Sequence, residues 1–259
     1  MTIKEFLANW GSLLVATAAL IQPWCFLLWE KYVRKGRVSI HESGEIALGF
    51  SNIGPSIELH GTLKSENKDI FITKILLEVT RRKDNLKHDF CWLLFCGHKA
   101  RTSNLEDVDI ERASSFWIRK NDSHRYRIVF SDSETKQDID RCIKEFNDSW
   151  NNILDLSDDA DNTSHMTYQG FSSSPDHLKA FTSIDHMFYW EPGLYSIRFK
   201  VYLSNTNKPQ SNEWEFMLTD QDSKELRLNV IRYLSSICLG ENNFAIRYLD
   251  YRKCKTIIK

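Results

Sequence analysis

The sequence predicts a mainly β fold, a β-sandwich or barrel carrying two amphipathic helices, preceded by one N-terminal transmembrane helix. Three observations carry that expectation. Residues 6–29 contain no Asp, Glu, Lys or Arg, and a spanning helix needs about 20 mostly apolar residues. Beyond residue 37, short runs rich in β-branched and aromatic side chains alternate with turn signals, as in all-β sandwiches and barrels. Two longer stretches repeat apolar residues every three or four positions, the period of a helix with one buried face.

Residues 1–5 form a short N-terminal flank. Trp10 opens the apolar run and Trp24 and Trp29 close it, matching the aromatic belts at the two bilayer interfaces. A helix from Trp10 to Trp29 rises about 28 Å at 1.5 Å per residue, near the hydrocarbon thickness of about 30 Å. Pro23 falls near the end of the run, where interfacial water or a neighbouring helix can satisfy the freed backbone group. The rival reading is a cleaved signal peptide. Its candidate cleavage site, Ala16-Thr17-Ala18, lies inside the run, and bulky Trp24, Phe26, Leu27 and Leu28 stand where small residues belong.

The juxtamembrane segment 30–37 carries Lys31, Arg34, Lys35 and Arg37, against Lys4 alone on the other side. The positive-inside rule then places the amino terminus outside and residues 38–259 in the cytoplasm. Six cysteines fit that side: Cys25 in the anchor, then Cys91, Cys96, Cys142, Cys238 and Cys254. Five soluble thiols cannot all pair within one chain, and free thiols suit a reducing compartment.

Residues 38–42 and 45–51 read as two short strands around Gly44, followed by a turn at 52–55. Ile57, Leu59 and Leu63 share one parity, as in a half-buried strand. The run 70–80 is the strongest strand, and 90–96 is apolar on both faces, as a central strand is. Residues 104–112 read as an acidic loop or short helix. Residues 115–119 and 126–130 read as a strand pair around a turn at 121–124. A helical insertion at 133–156 follows an N-cap signal at 131–134, with Ile139, Cys142, Ile143, Phe146 and Trp150 on one stripe. Residues 157–183 show little apolar pattern and read as a mobile surface excursion.

Tyr195, Ile197, Phe199 and Val201 share a strand face, and 213–218 returns beside them. A second helix is capped by Thr219-Asp220 and stopped by Gly240, with Leu226, Val230, Tyr233 and Leu234 at helical spacing. Residues 244–250 and 255–258 read as a last strand or tail. The run Pro192-Gly193-Leu194-Tyr195 leading into alternating apolar residues resembles the late strands of immunoglobulin-like sandwiches. The pair spanning residues 57–79 resembles arrestin-type sandwiches. Both resemblances imply fold and carry no function.

No catalytic motif stands out. Cys91, Cys96 and His98 lie close together, but a zinc site wants a second ligand pair. Asp155, Asp158, Asp159 and Asp161 lack the alternation and glycine of a calcium loop. His177 and His186, beside Asp176 and Asp185, are able to supply acid–base chemistry, yet no nucleophile motif accompanies them. His165 is a further histidine of the same excursion. Arg81, Arg82 and Lys83 form a basic turn and are the candidates for binding an anion. Gly11 and Ala18 are candidates for close helix packing in the anchor. The formal net charge of −1 excludes the global basic field of nucleic-acid binders.

The expectation is a single-pass membrane protein whose cytoplasmic β-sandwich acts as a protein-interaction or accessory subunit. It needs no cofactor, and its partners are membrane lipid and another protein or a second copy of itself. The alternative is a ligand-sensing membrane effector, as in bacterial defence, that responds to a small anionic ligand and whose transmembrane helices cluster. A membrane-bound enzyme using the His-Asp pairs is the third reading.

Overall fold

In a computed structural model of the chain, the backbone is described for residues 3–29, 36–98, 108–155, 164–204, 206, 208–240 and 243–253. The first helix, α1, spans Ile3–Leu28. The body is one sheet of eleven strands: β1 (Arg37–Ser51), β2 (Gly54–Glu66), β3 (Ile70–Arg81), β4 (Leu86–His98), β5 (Val108–Arg112), β6 (Phe116–Ile118), β7 (Ser123–Ser131), β8 (Gly193–Leu203), β9 (Gln210–Leu218), β10 (Arg247–Asp250) and β11 (Arg252–Lys253). Four further helices join it: α2 (Ser133–Asp155), α3 (Ser164–Phe171), α4 (Pro175–His186) and α5 (Asp220–Leu239).

The mainly β class is as expected. One nearly closed antiparallel sheet wraps the core, where the strand pattern leaves sandwich and barrel open. Its order is β10-β1-β2-β7-β4-β3-β8-β9-β11, with β5 added to β4 and β6 to β3. β10 and β11 are neighbours in the chain yet stand at opposite ends of that order. Rings from strands three places apart therefore meet inside: Tyr126 of β7 stacks on Phe199 of β8 at 5.7 Å. Along the seam, side chains stand in for a ladder. The Val38 amide donates to Gln210 Oε1 at 2.7 Å, Asn212 Nδ2 donates to the Ile40 carbonyl, and Trp214 Nε1 donates to Glu42 Oε1.

The two predicted strands around Gly44 are one long strand, β1. It bulges between Glu42 and Ile46, with Gly44 at φ 90°. The bulge leaves the Gly44 carbonyl to accept from the Tyr251 amide at 3.0 Å, which draws the last strands into the seam. Residues 108–112, read as acidic loop or helix, are strand β5 on the edge of β4. β6 and β7, read as partners of each other, are not. β6 pairs with β3, and β7 lies between β2 and β4. Alternation reveals which face a strand buries, and it is silent about the neighbour.

The ends of the barrel differ. The start of β1 and the β2–β3, β6–β7 and β8–β9 turns gather at one end; helices α2 to α5 extend from or pack near the other. α2 begins where predicted, because Asp132 Oδ1 accepts from the amides of Glu134 and Thr135. It buries Ile139, Ile143, Phe146 and Trp150. The stretch read as an excursion instead holds α3 and α4. Ser174 caps α4, Pro175 opens it, and His177, Ala180 and Ile184 are its buried positions. α5 starts with a reciprocal Thr219–Asp222 capping box and stops at Gly240 in the left-handed region.

Among the described residues, no helix is long and apolar enough to cross a membrane. The spanning role of residues 6–29 is therefore not a finding of the structure. The side chains of α1 are described from Val15 onward, a stretch shorter than the roughly 20 residues a span needs. All of those from Val15 to Trp29 are exposed, Leu20 to 73% and Trp24 to 70%.

Candidate functional site

A polar cluster sits at the helix-bearing end of β3 and β4, around Tyr189. It begins with the basic turn. Arg81 closes β3, and its side chain is only 9% exposed. The guanidinium donates from Nε to both Asp84 carboxylate oxygens at 3.1 Å and from Nη2 to Oδ2 at 2.6 Å. Its Nη1 lies 3.1 Å from Glu191 and donates to the Tyr189 carbonyl. The hydrogen bonds to Asp84 push the Arg81 pKa up, and in return Arg81 pushes Asp84 down to about 2. Tyr195 completes the strap: its hydroxyl donates to the Glu191 carbonyl at 2.7 Å, and burial pushes its pKa up to about 12.

The neighbouring Arg82 pairs with Glu215 at 2.8 Å and lies 3.9 Å from Glu213, and Lys83 is exposed. Arg81 and Arg82 of the predicted anion site are thus paired with the protein's own carboxylates. Along the chain only Asp84 stands beside Arg81-Arg82-Lys83, because Glu191 comes from the turn before β8 and Glu213 and Glu215 from β9. Breaking the Arg81 pairs by Arg81→Ala is expected to cost about 2 kcal/mol. That is below the usual loss for a buried pair, since the orphaned Asp84 and Glu191 are partly solvated. The check is urea denaturation of the full chain, with Arg82→Ala as a control expected within about 0.5 kcal/mol of wild type.

Beside this strap lies an open cleft of about 510 Å³, bordered by Lys74, Glu78, Lys87, His88, Asp89 and Cys91 of β3 and β4 and by Asp132 and Glu134 at the start of α2. His88 Nδ1 lies 2.6 Å from Asp132 Oδ2, and the imidazole rests against the Tyr189 ring at 4.4 Å. Burial works against the Asp132 charge, but the hydrogen bonds from His88 and Thr135 outweigh it and hold the carboxyl below its usual range. A carboxylate-oriented imidazole is half of an acid–base device. Here the same carboxylate caps α2, so the pair also ties that helix to β4. Cys91, three residues along the strand, is turned by alternation to the opposite face from His88. The pair was missed in the sequence because 44 residues separate its members, although the cap signal of Asp132 was visible.

The other predicted residues are dispersed. His177 is buried among Phe146, Phe171 and Tyr168, 5.8–6.0 Å between ring centres. Its Nε2 has no hydrogen-bond partner. It is a core residue, whereas His186 is exposed in the last turn of α4. Asp185 pairs with Arg227 at 2.8 Å. Cys91 lies opposite Leu76, and Cys96 lies opposite Ile110 in the β4 ladders. Among the described residues, no group of three or more His, Cys, Asp or Glu is placed to hold a metal. Asp155 ends α2, while Asp158, Asp159 and Asp161 lie outside the described residues. Trp10 and Gly11 lie in the α1 backbone, Ala18, Trp24 and Trp29 are exposed on it or at its end, and Arg37 is exposed at the start of β1. Lys31, Arg34 and Lys35 lie outside the described residues.

Burial lowers the pKa of His177 and of His124, where Asp122 partly opposes the shift. The unfolded chain therefore takes up protons at these sites before the folded one does, starting near the ordinary value of 6.5. The stability they contribute is complete above that value and falls as pH drops through it toward the folded pKa. Urea midpoints measured from pH 7.5 down to pH 5 are expected to decline, and His177→Phe is expected to remove part of that slope.

No family model matches the chain, and no curated protein matches it significantly. Among solved structures, the chain is similar to a family 123 glycoside hydrolase from Clostridium perfringens, at 8% identity and a TM-score of 0.32. The match covers 72% of this chain and 28% of that one. The glycolipid glycan hydrolysis described for that enzyme is a property of the enzyme, and a likeness this distant carries no argument about this chain.

Proposed function

We propose that this chain is a single-pass membrane protein, with its amino terminus outside and its β domain in the cytoplasm. In this reading the domain serves as the interaction or accessory part of a membrane complex. The observation that carries the reading is α1. Its backbone is helical from Ile3 to Leu28, about 39 Å at 1.5 Å per residue. Every side chain described on it is exposed, including Val15, Leu20, Ile21, Phe26 and Leu27. The exposed apolar surface described from Val15 to Trp29 has to be covered by lipid or by protein. The basic cluster that follows in the sequence fits a cytoplasmic flank.

The charges of the cluster around Arg81 satisfy one another. The cluster lends no support to the capture of a small anionic ligand at that turn. Exposed Ala16, Ala18 and Ala19 on α1 would let two helices approach closely, which keeps the clustered-helix effector as the second reading.

The test is fractionation. The intact chain is expected in the membrane pellet after an alkaline carbonate wash, and a Leu20→Asp, Leu27→Asp double variant is expected to move toward the aqueous fraction. Wild-type protein recovered uncleaved in the aqueous fraction overturns the anchor. Cross-linking in membranes, followed by sizing in detergent, is expected to give a self-complex or a stoichiometric partner; a strictly monomeric, partnerless chain removes the accessory role.

A further inference from the structure

We infer that the barrel end at which the chain enters from α1 is itself a membrane-docking surface, which lays Trp117 and its basic neighbours against an anionic leaflet. The inference rests on the anchor reading above and adds a second contact to it.

Trp117 is 66% exposed on β6, one of the most exposed large side chains of the body. It is held rather than loose. β6 is hydrogen-bonded to β3, with Trp117 opposite Phe71, and the two rings lie 4.9 Å apart. Beneath them Phe116 packs on Phe95 and His124. An outward indole backed by aromatic rings on a short edge strand is the arrangement that places Trp at the headgroup level of a bilayer.

The charge around it is mostly positive. The turns and strand ends at this end of the barrel carry Arg37, Lys64, Lys68, Arg119, Lys120 and Lys208. Among the described residues of these turns, three carboxylates stand beside the six cations: Glu66, which accepts from Ser39 Oγ, Asp69, which accepts from the Lys120 amide at 2.7 Å, and Asp122, which accepts from the Ser123 amide at 2.8 Å. The rim excess of three positive charges belongs to a chain whose net charge is −1, so the basic field is local. Connectivity supplies the remaining constraint. Arg37, the first residue of β1, follows α1 by only a short segment. If α1 crosses the bilayer, this end of the barrel is the one held near the leaflet. The helices α2 to α5 do not share this end.

The experiment is hydrogen–deuterium exchange on the full chain in lipid nanodiscs of zwitterionic lipid alone and of zwitterionic lipid mixed with phosphatidylserine. Exchange in residues 116–123 is expected to slow by roughly tenfold in the anionic discs. The Trp117→Ala and Arg119→Glu, Lys120→Glu variants are expected to lose that protection while β8 stays protected, which shows that the fold is intact. Protection of α1 in both discs reports the anchor independently. If α1 is protected and residues 116–123 exchange alike in both lipids, the docking surface is overturned and the anchor stands. If α1 itself exchanges freely, the anchor reading fails, and this inference with it.

Discussion

Replacing Trp190 by alanine is expected to lower the unfolding free energy by about 4 kcal/mol, the range for emptying a buried aromatic site. Trp190 is fully buried, at 0% exposure. Its ring stacks on Phe90 of β4 at 5.7 Å and meets Tyr189 and Tyr195 edge-on. The indole Nε1 donates to the Gly49 carbonyl of β1 at 2.9 Å, and its own carbonyl accepts from Ser223 Oγ of α5 at 2.7 Å. One residue therefore joins two distant strands of the sheet to the helical layer. The substitution leaves a cavity and removes the indole hydrogen bond to the Gly49 carbonyl, and both terms have the same sign. Urea denaturation of the detergent-solubilised chain, followed by near-ultraviolet circular dichroism, reads the loss. A change below about 2 kcal/mol would mean that the site collapses around the missing ring and that the junction is not where the layers are held.

The same junction shows what the sequence discloses and what it hides. Helices α2 and α5 were legible because Ile139, Ile143, Phe146 and Trp150 keep the helical period, and because Thr219, Asp222 and Gly240 are capping residues in their proper places. α4 was not legible, because a histidine and an alanine fill two of its buried positions and the helix has only 12 residues. Strand existence was readable from alternation, but strand partnership was not. The seam that closes the barrel depends on Gln210, Asn212 and Trp214 reaching across to β1 at a separation of 172 residues. Nothing local marks those three as closing residues. The polar cluster followed the same rule. Its cations were visible as a run with Asp84 beside them, while the other carboxylates that neutralise them arrive from β9 and the turn before β8.

A glycine that looked incidental in the sequence carries the second large effect. Gly61→Ala is expected to destabilise the chain by about 3 kcal/mol, the upper part of the range for overpacking a filled interior. β2 runs between β1 and β7, with Gly61 opposite both Glu42 and Tyr126. A methyl group at Gly61 would stand 2.5 Å from Tyr126 Oη and 2.6 Å from Cζ, and closer still to the His41 carbonyl oxygen. Neither neighbour can yield cheaply. The carbonyl belongs to the strand backbone, and the Tyr126 ring is buried and stacked on Phe199. Tyr126→Phe should therefore fail to rescue Gly61→Ala, since Cζ and the carbonyl both remain. Tyr126→Leu should recover only the part of the loss that the ring imposes. Gly170 in α3 is the internal control, because a methyl group there meets open space. Gly170→Ala should stabilise by about 0.4–1 kcal/mol through the unfolded chain. Denaturation midpoints moving in opposite directions for the two substitutions would establish that close backbone approach, and not glycine content, is what β2 requires; equal midpoints would refute the close approach.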